Sequence, residues 1–127
     1  DFKLCKNILD NEYQMSDCFE KIALKLNDWK ICQQDPDSTR RGFCINNFIK
    51  KIDNPSECKK FPYSSNIECY RDLAIRFKNP NLCPLIDYSQ GINWCLQQYA
   101  ARYKDKSVCV GIIDKADRDL CLYHAGP

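Results

Sequence analysis

Cysteine is the residue type whose number and spacing could do chemistry in this chain. Ten of the 127 residues are cysteine, and thiols can bind metal ions, exchange electrons or form disulfides. No two cysteines have the C-x-x-C spacing of zinc ribbons and redox motifs, and the sequence has one histidine, His124. We therefore predict structural disulfides, no metal site and no cofactor for Cys5, Cys18, Cys32, Cys44, Cys58, Cys69, Cys83, Cys95, Cys109 and Cys121.

The cysteine spacing also reveals a repeat. Long and short separations alternate along the chain, so each unit contains two cysteines and spans about 26 residues. Each unit opens on Asn or Asp, with the first cysteine four residues later. We expect one repeat domain over 1–127, made of about five units at 1–27, 28–53, 54–78, 79–104 and 105–127.

The segment after the second cysteine of each unit has a helical pattern. Four copies read CFEKIALKLND, CINNFIKKIDN, CYRDLAIRFKN and CLQQYAARYKD. Apolar residues recur at the cysteine and one, four, five and eight positions after it, which traces one face of an α-helix. This stripe assigns to the core the aromatic residues Phe48, Phe77, Tyr99 and Tyr103.

A second, shorter helix is predicted at the start of each unit. Asn or Asp stands ten residues after the cysteine, where its side chain can cap a helix, and Pro55 and Pro80 suit the first helical position. A hairpin of one short and one long helix cannot bury its apolar stripe alone. The predicted fold class is therefore all-α, with disulfide-stapled helical hairpins stacked as an α-solenoid or as a compact helical array.

Two disulfide patterns are compatible with the repeat. Pairing across the short separations uses every cysteine and places one bridge in each hairpin, and we favour it. Pairing across the 14-residue separations leaves Cys5 and Cys121 at opposite ends of the chain. Since disulfides persist in oxidising compartments, we expect a secreted, periplasmic or cell-surface protein.

The repeated pattern D/N-x-x-x-C … C-[YFIL]-x-x-[IFLY]-[AI] resembles the plan of helical-hairpin repeat families. These are the Sel1-like and TPR-like proteins, and above all their secreted cysteine-rich members with one disulfide per repeat. The resemblance is one of architecture and covers nearly the whole chain. It implies a scaffold that binds other proteins or peptides, and it carries over no catalytic residue.

Two groups of residues are candidates for binding. Seven residues after the second cysteine, four copies carry a cation that could form a strip for an anionic partner: Lys25, Lys51, Arg76 and Arg102. The alternative is that these cations complement the helix dipole and pair with nearby aspartates. Trp29 and Tyr88 lie off the stripe and could anchor an interface, or else pack along the next hairpin.

The composition narrows the class of function. A net charge of +2 gives little support to nucleic-acid binding, and no apolar run is long enough for a transmembrane segment. No serine or cysteine is placed to pair with His124 as a nucleophile, and no carboxylate pair recurs, so we expect no enzyme.

We expect instead a non-enzymatic, exported protein-binding module. One alternative is a structural subunit of an extracellular or envelope assembly that stacks on itself as a filament. Another is a periplasmic inhibitor or immunity protein against a secreted enzyme. The last long helix is cut short after Cys121, which predicts a fragment of a longer array, an end that docks on another molecule, or a frayed tail.

Overall fold

The computed structural model describes residues 2–7 and 12–126, and in this part of the chain the regular elements are all helices, joined by short turns. Short 3₁₀ helices, labelled η, alternate with longer α-helices. In chain order they are η1 (Phe2–Asn7), α1 (Glu12–Leu26), η2 (Trp29–Gln34), α2 (Ser38–Ile49), η3 (Pro55–Lys60), α3 (Tyr63–Arg76), η4 (Pro80–Leu85), α4 (Ser89–Tyr103), η5 (Lys106–Cys109) and α5 (Lys115–Ala125). The predicted all-α, disulfide-linked helical array is confirmed, whereas its stacking as a solenoid stays a prediction.

The helices form two compact units. The N-terminal unit, Asp1–Lys51, contains η1 to α2, and the C-terminal unit, Ile52–Pro127, contains η3 to α5. In the N-terminal unit α1 packs against η1, η2 and α2. In the C-terminal unit α3 packs against η3, η4 and α4, and α4 packs in turn against α5. The single repeat domain expected from the sequence remains a prediction.

The predicted capping residues open the short helices η2 to η5. Each side-chain oxygen accepts a hydrogen bond from the backbone N–H two residues later, at 3.0 to 3.1 Å. These residues are Asp28, Asn54, Asn79 and Asp105. Because 3₁₀ hydrogen bonds are poorly aligned and long 3₁₀ runs are uncommon, such helices need a further anchor.

That anchor is a disulfide in each repeat. The five bonds are Cys5–Cys18, Cys32–Cys44, Cys58–Cys69, Cys83–Cys95 and Cys109–Cys121, with Cα atoms 5.5 to 5.6 Å apart. Each joins a 3₁₀ helix to the α-helix that follows it. Of the two patterns compatible with the sequence, the structure has the one that places a bridge in every hairpin.

Small residues five positions after the second cysteine let the helices approach closely. Ala23, Ala74 and Ala100 are fully buried. Large residues at the neighbouring stripe positions, such as Phe19 and Leu73, are also completely buried. These stripe positions therefore form part of the core, together with buried disulfide cysteines such as Cys69 and Cys95.

The core prediction was wrong for Phe77. Its side chain is 50% exposed, while Phe48 and Tyr99 are buried as predicted and Tyr103 is half-buried. The helix α3 ends at Arg76, and Phe77 lies in the turn beyond it. Burial differs between the copies at this position, since Ile52 is 6% exposed and Leu26 is 60% exposed, so the helical stripe alone does not decide it.

Left-handed residues end three of the α-helices. Asn27, Lys78 and Lys104 have φ of 51 to 53°, and the N–H of the next residue returns to a carbonyl five positions back, at 2.8 to 3.1 Å. This is the Schellman arrangement of helix C-termini. Since that next residue also caps the following 3₁₀ helix, the chain passes from one repeat to the next without a long loop.

Candidate functional site

The most distinctive surface feature of the C-terminal unit is a groove between α3 and α4, with a volume of about 480 Å³. Its polar lining consists of Arg71, Asp72, Arg76, Gln98 and Arg102, and Ile75 and Ala101 supply its apolar part. We call this feature the arginine groove. Three guanidinium groups share it with one carboxylate, which leaves two positive charges without a partner in the lining.

Helical periodicity brings these side chains together. Asp72 and Arg76 are neighbours on the surface of α3 because they are four positions apart, and Arg71 lines the same groove from the residue before Asp72. Gln98 and Arg102 are four apart on α4. Since α3 and α4 pack against each other, the two faces become the two walls of the groove.

Arg76 has a structural role. Its Nε and Nη2 lie 2.8 Å from Asp72 Oδ2, and Nη1 lies 3.4 Å from Asp53 Oδ1. Its Nη2 also donates to the carbonyl oxygen of Ile52 at 2.6 Å. Arg76 therefore ties the start of the C-terminal unit to α3, and its charge is compensated by nearby aspartates, as the alternative interpretation proposed.

Arg71 is positioned by an aromatic ring. Its Cζ lies 5.0 Å from the centroid of the Trp94 ring, a favourable cation–π arrangement. The side chain is half-buried, and its Nε is buried without a hydrogen-bond partner in the part of the chain that the structure describes. Leaving such a donor unsatisfied costs about 1–3 kcal/mol. The Nε–H of Arg71 is therefore an unsatisfied hydrogen-bond donor among the described residues.

Sequence reasoning missed Arg71. It stands two residues after Cys69, where other copies carry Glu20, Asn46 and Gln97, so no repeated residue type marks the position. The one signal in the sequence is that Arg71 is basic where those other copies have a neutral or acidic residue. The packing of α3 on α4 gives that position its importance.

Arg102 supplies the second uncompensated charge. Its side chain is exposed, and no carboxylate of residues 2–7 and 12–126 lies within ion-pair distance of it. Together with Arg71, it gives the arginine groove one free guanidinium group on each wall. Guanidinium groups bind carboxylates and phosphates through two parallel hydrogen bonds, so this arrangement suits an anion.

The other candidate residues do not line the groove. Lys25 and Lys51 belong to the N-terminal unit, where both are exposed, and Trp29 is half-buried in the same unit. Tyr88 is 40% exposed, with its ring edge-on to Tyr63 at a centroid distance of 5.6 Å. Of the predicted residues, the groove therefore brings together only Arg76 and Arg102.

A second cavity, of about 560 Å³, lies between the start of α4 and the segment that leads into α5. Its carboxylates already hold the local structure. Asp117 Oδ2 accepts from Asn93 Nδ2 at 3.0 Å, and Asp114 Oδ1 accepts from the N–H of Asp117 at 2.9 Å. The arginine groove, with its unpaired cations, is the stronger candidate for a binding site.

No protein-family model matches this chain, and neither a curated protein nor a solved structure shows significant similarity to it. Within the described segments, no group of three or more His, Cys, Asp and Glu side chains is arranged to hold a metal ion. The helices described there are also too short or too polar to cross a membrane. The case for function therefore depends on the geometry of the arginine groove.

Proposed function

We propose that this protein is an exported, non-enzymatic protein-binding module and that its arginine groove receives an anionic segment of the partner. The observation that carries the proposal is the pair Arg71 and Arg102, which lie on opposite walls without carboxylate partners among the described residues. The five disulfides indicate an oxidising compartment. We propose that the protein is secreted, periplasmic or located at the cell surface.

The construction of the groove supports binding rather than catalysis. Its one carboxylate, Asp72, is held by two nitrogens of Arg76, so it is poorly suited to act as a general base. No serine, threonine or cysteine lines the groove, which leaves it without a nucleophile. Both walls are α-helices stapled to their neighbours by disulfides, and such a preorganised surface loses little entropy on binding.

Affinity capture from the native secretions or envelope extract tests the proposal. We compare the wild-type protein with Arg102→Gln, which removes one free cation, and with Lys59→Gln, which removes an exposed cation of η3 outside the groove. Wild type and Lys59→Gln should enrich the same protein, and Arg102→Gln should lose it. Capture should also weaken as salt rises, because exposed charges are screened.

Capture of the same partner by Arg102→Gln and by wild type would refute the role of the groove. If the captured partner is an enzyme whose activity falls on binding, the protein is an inhibitor or immunity protein. An inhibitor of this kind would still be a protein-binding module.

One observation favours self-assembly as a second candidate function. Four large apolar side chains of the last repeat are 45% to 95% exposed: Val110, Ile113, Leu120 and Tyr123. Exposed apolar side chains that lie together often mark protein contacts, and these four belong to the same repeat. Sedimentation velocity should then show species that grow with protein concentration and that Leu120→Glu abolishes, whereas a monomer at every concentration would rule out the filament.

A further inference from the structure

We infer that the group recognised in the arginine groove is a phosphomonoester, either carried by the partner or free in solution, in preference to a single carboxylate. The inference rests on the proposed function, since it names the anionic group that the same groove would bind. It depends on the balance of charges in the groove, on the placement of its hydrogen-bond donors and on the surroundings of the Arg71 side chain.

Charge balance is the first argument. Arg76 is neutralised by Asp72 and Asp53, at 2.8 and 3.4 Å. Arg71 and Arg102 remain, and a carboxylate would compensate only one of them. A phosphomonoester carries a charge of about −1.5 to −2 near neutral pH, which matches the two unpaired guanidinium groups.

The placement of the donors is the second argument. Arg71 comes from α3, and Arg102 and Gln98 come from α4. A carboxylate is planar, and one arginine fork can satisfy both of its oxygens. A phosphomonoester has three acceptor oxygens arranged around phosphorus, so it can accept from both walls of the groove at once.

The surroundings of the Arg71 side chain are the third argument. Trp94 supports one side of the guanidinium group at 5.0 Å, which limits the directions in which it can turn. Its Nε has no acceptor among the described residues. Arginine clusters commonly recognise phosphorylated groups. An oxyanion in the groove would supply acceptors that the protein itself does not offer to this side chain.

Arginine Nε–H signals in a ¹H–¹⁵N NMR spectrum give a direct test on the pure protein. Sodium phosphate, sodium acetate and sodium chloride are titrated at equal ionic strength, above about pH 7, where phosphate is mostly doubly charged. Phosphate should shift the Arg71 and Arg102 signals to saturation, with an affinity at least about tenfold above that of acetate. Equal, unsaturated shifts with the three salts would overturn the inference.

Variants and a peptide pair complete the test. Arg102 is exposed, so Arg102→Gln should fold normally and bind phosphate about tenfold more weakly, while Lys59→Gln should bind as wild type does. A phosphoserine peptide that outcompetes its glutamate counterpart would support a phosphorylated partner. Preference for inorganic phosphate over that peptide would support a free phosphate compound. An unchanged phosphate affinity in Arg102→Gln would overturn the inference.

The two proposals can fail separately. If phosphate does not bind but partner capture still requires Arg102, the phosphomonoester inference fails and the protein-binding function stands. If phosphate binds through Arg102 but capture does not require this residue, the proposed protein-binding role of the groove fails.

Discussion

Replacing Cys83 and Cys95 together by alanine should lower the free energy of unfolding by about 3 kcal/mol. Their disulfide spans a sequence separation of 12 residues, and in the chain-entropy model a loop of this size contributes about 3 kcal/mol. Both cysteines are fully buried, so loss of the sulfur atoms also leaves unfilled space in the core. This loss of packing adds to the entropic contribution of the disulfide.

The loss of local stability should be greatest in η4, Pro80–Leu85. This helix has six residues, includes Pro84 in its interior and begins at the cap of Asn79. Without the bridge to α4, that cap and a few 3₁₀ hydrogen bonds hold it in place. The N–H groups of Leu82 and Ile86, which donate to backbone carbonyls at 3.3 and 3.1 Å, should then exchange with solvent much faster.

Two measurements check this prediction. Thermal denaturation followed by circular dichroism should show a fall of roughly 10 °C in Tm, and hydrogen exchange should show lost protection over η4. The matched control is the double alanine variant of Cys5 and Cys18, which opens a loop of similar size in the N-terminal unit. It should leave exchange in η4 unchanged. An unaltered melting temperature, or η4 protection equal to that of wild type, would refute the reasoning.

Two further substitutions probe the C-terminal unit. Gly91→Ala should destabilise the protein by about 1–2 kcal/mol in urea denaturation although alanine favours helices, because its Cβ would lie 2.9 Å from Ile86 and 3.1 Å from Ile67; a more stable variant would contradict this. Burial, and then the charge of Asp87, raise the pKa of Tyr70. The unfolded chain therefore loses this proton first, and stability should fall as pH rises above about 10. Tyr70→Phe should flatten that fall in alkaline denaturation, and an identical pH profile would count against it.

Local signals in the sequence were sufficient for the repeat architecture. The Asn and Asp caps, such as Asn54 and Asn79, act within two residues of their own position, so their role can be recognised without knowledge of the fold. The disulfides are nearly as local, since each closes 11 to 13 residues within one hairpin. Regular spacing then made the within-hairpin pairing the simpler of the two patterns.

The arginine groove could not be predicted in this way. The four basic residues seven positions after the cysteine looked equivalent, yet Arg76 is neutralised by Asp72 while Arg102 has no ion-pair partner among the described residues. Arg71 belongs to no repeated pattern and gains its importance from Trp94 on α4. These differences arise from contacts between α3 and α4, which a repeat alignment does not contain.

The sequence by itself determined the helical class, the capped short helices and the cysteine period, because these follow from interactions between residues close together in the chain. Only the tertiary structure decided which charges are paired and which are free. The net charge of +2 is nearly balanced over the whole chain, but the packing of α3 against α4 places three arginines around a single carboxylate. The physical reason is that a binding site depends on distances between helices, and helix propensity and periodicity do not set those distances.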